Sequence, residues 1–223
     1  MSLNKKGAVK MKHVLIALAI VALCAPAFAQ GTNPTVKAFI HLTTDTSPVV
    51  PTDNAGVVNV IASPTPYVTY RAYIGLTDLS TGFTVISIRL TKVTDTCPGV
   101  FAPPSFTNLM PGDLAIGNIF DNTYPAGPGG ITIASTGCLD APLQMIGYVS
   151  LFYLGGTCDI EILDHQHYPR WVVDCTEPDG LVDYYCVWKN ASFGGTPPEG
   201  DAGCTANVPV ETETWGMIKS LYR

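Results

Sequence analysis

The densest group of chemistry-bearing side chains is Asp164-His165-Gln166-His167. On an extended chain, residues i and i+2 point to one side, so His165 and His167 could face one metal ion. Asp164 stands beside them, with Asp159 and Glu161 close by. A zinc or copper site needs a third and a fourth ligand of fixed geometry. His41 is the one other histidine after the first thirty residues. A metal-dependent hydrolase built on His165, His167 and Asp164 is one reading of this group. The plainer one is a polar turn ended by Pro169. A second group, Asp174, Glu177, Asp179 and Asp183, gathers four acids around Gly180. Calcium takes about six to eight oxygens from loops of this kind. The spacing is not that of an EF-hand, because the glycine comes one place late and Pro178 fills the fifth position. A solvated β-turn is the simpler account. Calcium is the one cofactor left open, and no other is implied.

Motifs of nucleophilic and nucleotide chemistry are missing. The sequence has no G-x-S-x-G, no H-E-x-x-H and no Walker or dinucleotide glycine pattern. The reading is therefore non-catalytic. The aromatic residues offer a different chemistry. Tyr67 and Tyr73 fall on the face opposite Val68, Tyr70, Ala72 and Ile74, and are read as an exposed pair. Such a pair can stack a sugar or bury against a protein. The alternative is ordinary core or cross-strand packing.

The elements that must hold these residues repeat with period two. Val36, Ala38, Ile40 and Leu42 share one face, with Lys37 and His41 on the other. Val68, Tyr70, Ala72 and Ile74 alternate with Thr69 and Arg71, and Ile86, Ile88 and Leu90 with Ser87 and Arg89. That alternation marks strands with one buried face. Residues 147–154 are nearly all apolar and read as an interior strand. Segments 158–164, 170–175 and 182–188 complete the set, with 57–61 and 114–120 as weaker strands. Pro, Gly, Asp and Asn cluster between the runs as turn signals. Short strands without long helical patterns between them predict an all-β, antiparallel β-sandwich, of immunoglobulin or cohesin type or a jelly roll.

The first thirty residues read as a secretory signal. Lys5, Lys6, Lys10 and Lys12 precede the apolar run 14–23, and Ala27-Phe28-Ala29 gives a small-x-small cleavage site. The run is short of the roughly 20 residues that span a bilayer. Expected organisation is a signal peptide at 1–29, a sandwich domain at 30–212 and a tail at 213–223, with no membrane span in the mature chain. Without the signal the chain keeps eight basic and 18 acidic residues, a net charge of −10. A body this acidic is a poor partner for nucleic acid or for anionic lipid surfaces.

Cys24 leaves with the signal, and six cysteines remain: Cys97, Cys138, Cys158, Cys175, Cys186 and Cys204. An even set in an exported chain predicts three disulfides and no free thiol. Short loops close most easily, so pairing in chain order is expected: 97–138, 158–175 and 186–204. Asn190-Ala191-Ser192 fits the glycan acceptor pattern and is expected to be idle. In the tail, Trp215, Ile218 and Tyr222 fall at helical spacing and are read as one docking stripe of a short C-terminal helix. The helix would act as a structural clasp on its own sandwich or as a sorting signal.

Thr214-Trp215-Gly216-Met217-Ile218-Lys219-Ser220-Leu221-Tyr222 resembles the T-W-G-x-I-K-x-L-Y tail of exported proteins from environmental bacteria. Residues 147–175 resemble the segment that precedes the tail in that group, with Thr157-Cys158-Asp159-Ile160-Glu161-Ile162, His167-Tyr168-Pro169 and Val172-Val173-Asp174-Cys175. The resemblance implies a cohesin-like or immunoglobulin-like sandwich. It imports no catalytic residue. The resulting expectation is a secreted or surface-associated binding, adhesion or assembly domain, in the periplasm or outside the cell. Its partner would be a protein or a polysaccharide. The alternatives are a carbohydrate-binding module using Tyr67 and Tyr73, and the metal hydrolase.

Overall fold

In the computed structural model the residues described are 35–91, 97, 100–112, 114–120, 129–165, 170–175, 181–202 and 204. The signal segment 1–29 and the tail with Trp215, Ile218 and Tyr222 lie outside them, as do His167, Glu177 and Asp179.

Strands dominate because the alternating runs are real. In chain order they are β1 (Lys37–Thr44), β2 (Val60–Ile61), β3 (Val68–Thr77), β4 (Phe83–Leu90), β5 (Val100–Asn108), β6 (Leu114–Asn118) and β7 (Gly130–Leu139). There follow β8 (Leu143–Tyr153), β9 (Cys158–Ile160), β10 (Ile162–Leu163), β11 (Trp171–Asp174), β12 (Val182–Tyr184), β13 (Cys186–Lys189) and β14 (Ala191–Phe193). No α-helix occurs among the described residues.

One sheet has the order β13-β1-β3-β8-β5. A second has the order β12-β11-β4-β7-β6, with β10 also pairing β4. A small third sheet is β2-β14-β9. Most neighbours run antiparallel; β1–β13 and β14–β2 are parallel. The two large sheets share one core. Ala38, Ile40, Leu42, Tyr70, Ala72, Ile74, Val149 and Leu151 come from the first, and Phe83, Ile86, Ile88, Leu90, Ile131, Ile133 and Val172 from the second. These are the residues that the period of two puts on one face, and their burial is the main favourable term in folding. The expected all-β sandwich is therefore present.

Two apolar runs are broken where a single strand was expected. The run 182–188 is β12 and β13, which belong to different sheets. Between them Tyr185 is buried and its hydroxyl donates to the Ser87 carbonyl at 2.9 Å. Burial pushes its phenol pKa far up. Tyr185 is buried where the chain crosses from one sheet to the other through the core. The run 158–164 is likewise split into β9 and β10, which join different sheets.

The disulfides are Cys97–Cys158, Cys138–Cys175 and Cys186–Cys204. Chain-order pairing holds for the last and fails for the first two. The reason is register. Leu139 of β7 and Asp174 of β11 both lie opposite Phe83, one on each side of β4. Cys138 and Cys175 therefore meet at the end of β4, although 37 residues separate them. Gly82 makes room for them. Its φ is +76°, and an added Cβ would fall 2.7 Å from the Cys138 sulfur. Three bridges are the pattern of proteins from oxidising compartments. Among the described residues no helix is long and apolar enough to cross a membrane.

Candidate functional site

The two large sheets each turn an outer face away from the shared core, and those faces differ. On the six-stranded sheet the register lines up Leu114 with Ala134, Ala134 with Val85, Val85 with Val173, and Val173 with Val182. Alternation points the residues between them, Ile133, Ile86 and Val172, into the core. An uncharged apolar row thus crosses five strands on the solvent side. Ile116 extends it on β6. At the other edge Trp171 faces Tyr184, ring centroids 6.4 Å apart and edge to face. Leu114 and Ile116 are 62 % and 63 % exposed, and Val182 is also exposed. β6 is the edge strand, and all five of its residues, Leu-Ala-Ile-Gly-Asn, are exposed. Exposed edges are ordinarily guarded by charge, proline or a bulge; this strand carries neither charge nor proline. Chemically the face offers, among the described residues, apolar area and an open backbone edge.

The outer face of the five-stranded sheet holds a second, small core: Phe39, Val57, Tyr73 and Met145, flanked by Leu143, Tyr148 and Trp188. Phe39 lies across from Gly75, where an added Cβ would strike its ring. Phe39 and Trp188 meet edge to face at 6.3 Å, and the Tyr73 and Tyr148 rings lie tilted at 47° with centroids 5.1 Å apart. Two cations cap the rim. The Arg71 guanidinium sits 4.6 Å from the Tyr148 ring centre, and Lys189 Nζ 4.2 Å from that of Trp188. Burial lowers the Lys189 pKa, and its ammonium donates to the Val57 carbonyl at 3.3 Å. The segment 45–58 crosses this cluster and seals it with Val57.

The tyrosine pair expected to be exposed does not exist. Tyr73 is 4 % exposed, inside the small core, while Tyr67 is 75 % exposed with a φ of +64° just before β3. Alternation put them on one face, but the covering segment buries one of them. Of the metal group, Asp164 and His165 are described. Asp164 pairs with Arg170, which also holds Asp201. His165 is buried with its ring packed on the backbone of Gly130. Among the described residues no three His, Cys, Asp or Glu side chains are grouped to hold a metal; His167 lies outside them. Of the acidic turn, Asp174 is buried, and its Oδ1 accepts from Leu181 N–H at 2.7 Å while its own N–H donates to Leu181 O at 2.9 Å. The carboxylate closes a turn. Asp183 is buried opposite Val172. Glu177 and Asp179 are outside the described residues.

Asn190 is buried. Its Oδ1 accepts from Ile162 N–H at 2.9 Å, and its Nδ2 donates to the carbonyls of Pro198 and Glu199. A glycan on Nδ2 would remove one of the protons it donates and would have to fit at a buried position. Sequence reasoning missed the small core and the apolar row. The first had a signal in Phe39, an aromatic between Lys37 and His41 on the supposedly polar face. The second had one in the uncharged Leu114–Asn118 run.

No protein-family model matches the chain, and no curated protein matches it in sequence. Among solved structures, a chain from the crystal structure of the CaDoc0917–CaCohA2 complex is similar over 73 % of this chain and 100 % of its own length. The identity is 14 % and the TM-score 0.35. A likeness that loose carries no argument about function.

Proposed function

We propose that this protein is a non-catalytic, secreted or surface-associated β-sandwich that works by binding another protein, through the outer face of its six-stranded sheet. The observation that carries this reading is the apolar row from Leu114 to Val182, ending on an edge strand that has neither charge nor proline and, among the described residues, no further strand beyond it. The solvated face of an antiparallel sheet is ordinarily polar. A contiguous apolar patch on a soluble domain marks an interaction surface, and an open edge can accept an extended segment as an added strand. The three disulfides fit the exported location. The polysaccharide reading loses its tyrosine pair and is not favoured.

Photo-crosslinking tests this. A photoreactive residue at Ile116 should trap a discrete protein in the extracellular fraction of the producing cells. One at Tyr67, outside the six-stranded sheet, should not. Replacing Leu114 by Lys should abolish the Ile116 product while leaving the melting temperature within about 3 °C, as for a surface change worth up to about 0.5 kcal/mol. Retention of the purified protein on a polysaccharide, with no crosslink at position 116, would sink the proposal.

A further inference from the structure

The segment that seals the small core is held by one side chain on both of its limbs. His41 lies on β1 beneath residues 45–58 and is 2 % exposed. Its Nε2 is 2.7 Å from the Val49 carbonyl on the outgoing limb. Its Nδ1 is 2.9 Å from the Val58 nitrogen on the returning limb. A backbone N–H can only donate, so Nδ1 must accept and carries no proton. Nε2 then carries the proton and donates to Val49 O. The neutral ring in this one tautomer satisfies both limbs. Adding a proton to Nδ1 sets it donor against donor with Val58 N–H and creates a buried charge.

The segment's other ties include the Asp45–Arg71 pair, Asp45 N–H to Thr69 O at 2.9 Å, Asn54 Nδ2 to Asp78 Oδ1 at 3.4 Å and Lys189 Nζ to Val57 O at 3.3 Å. Leu42 N–H donates to Val58 O at 2.7 Å, and Thr77 Oγ1 to Asn54 Oδ1 at 2.6 Å. Val49 N–H donates to Thr43 Oγ1 at 3.2 Å. Apart from Pro51 and Val57, residues 46–58 are exposed, so little burial opposes their lifting.

We propose that His41 is an acid-released latch: protonating its ring frees residues 45–58 to lift Val57 off the apolar cluster of Phe39, Tyr73, Met145 and Tyr148. The charged and titratable groups around the ring favour release over accommodation. On β3 they are Tyr73, with its ring 6.4 Å away, and Arg71; on β13, Lys189; on β8, Tyr148. Arg71 and Lys189 are cations. The nearby carboxylates are committed: Asp45 to Arg71, Asp78 to Lys37, and Asp53 to Gly56 N–H. Burial holds the His41 pKa below its ordinary 6.5, only partly offset by the bond to Val49. The sign follows. The closed form binds the proton more weakly than the open form. It is fully favoured above about pH 6.5, weakens by up to about tenfold per pH unit below that, and levels off once pH passes below the closed-state value.

Amide hydrogen exchange on the full-length mature protein tests the latch. Between pH 7 and 5, protection of the Val58 amide, corrected for intrinsic exchange, should begin to fall near pH 6.5, before most of the His41 ring has titrated, and should level off where the ring titrates. Ile74 in β3 should keep its protection. In His41→Gln, whose amide cannot take up a proton, Val58 protection should not vary over that range. The proposal fails if Val58 protection is constant while His41 titrates, if His41 stays neutral down to pH 5, or if His41→Gln shows the same acid response. Should that variant not fold, the wild-type profile decides alone: Val58 protection that goes on falling below the pH at which the His41 ring has titrated overturns the latch. A transition centred near pH 4, where carboxylates titrate, also overturns it.

Discussion

The outer faces of the two large sheets began as the same kind of surface and ended differently. Both carry large apolar side chains at the positions that alternation turns away from the shared core: Phe39, Tyr73 and Trp188 on one, Leu114, Ile116 and Val182 on the other. The first face acquired a cover. Residues 45–58 fold back over it, Val57 fills its centre, and Arg71 and Lys189 close the rim. The second face has no such cover among the described residues, and its outermost apolar groups stay in water. An apolar outer face is thus not by itself a binding surface. What separates a second core from an interface is whether the chain supplies its own lid.

This contrast can be broken by experiment. The largest effect is expected from Phe39→Ala. Phe39 is fully buried in the small core, and truncating a buried phenylalanine costs about 3–5 kcal/mol. Urea unfolding should show that loss as a lower midpoint at constant slope. A loss under about 1 kcal/mol would mean that the covered face adds little and that the two faces are energetically alike.

A smaller effect is expected from Thr77→Val. It keeps the shape but removes the hydroxyl that donates to Asn54 at 2.6 Å. The cost should be about 1 kcal/mol. It should appear as faster amide exchange confined to the 45–58 segment rather than as global destabilisation. Uniformly faster exchange throughout β1 and β3 would show that the cover does not move separately from its sheet.

The smallest effect belongs to the uncovered face. Ile116→Thr keeps a β-branched residue on a strand and changes only what solvent meets. Stability should move by no more than about 0.5 kcal/mol, while the crosslinked product described above weakens. A loss of 2 kcal/mol or more in the isolated protein would show that Ile116 is already covered within the chain.

The candidate sites show where sequence reading stops. Asp164, His165 and His167 were grouped because they are neighbours in sequence. In the fold Asp164 turns to Arg170, whose guanidinium also reaches Asp201, and His165 turns inward onto Gly130. Sequence proximity says nothing about which way a side chain leaves a turn. Tyr67 and Tyr73 failed for another reason. Their common face was legible, but whether that face meets water depended on a loop that begins at Asp45.

The sequence by itself determined what depends on local period and composition. It set the strand faces, the all-β architecture, the six cysteines that follow the first thirty residues and the want of a nucleophile motif. Those properties need only neighbours along the chain, because a strand's sidedness is decided every second residue. Only the tertiary structure decided what depends on register between distant strands. Leu139 and Asp174 flank Phe83, and so Cys138 meets Cys175 rather than Cys97. Leu114, Ala134, Val85, Val173 and Val182 form a row only because five strands from separate parts of the chain align. His41 became a two-limbed clamp only when residues 49 and 58 closed over it. Pairings of this kind bring together segments tens of residues apart. They are chosen by the packing of the whole sandwich, and no local pattern records them.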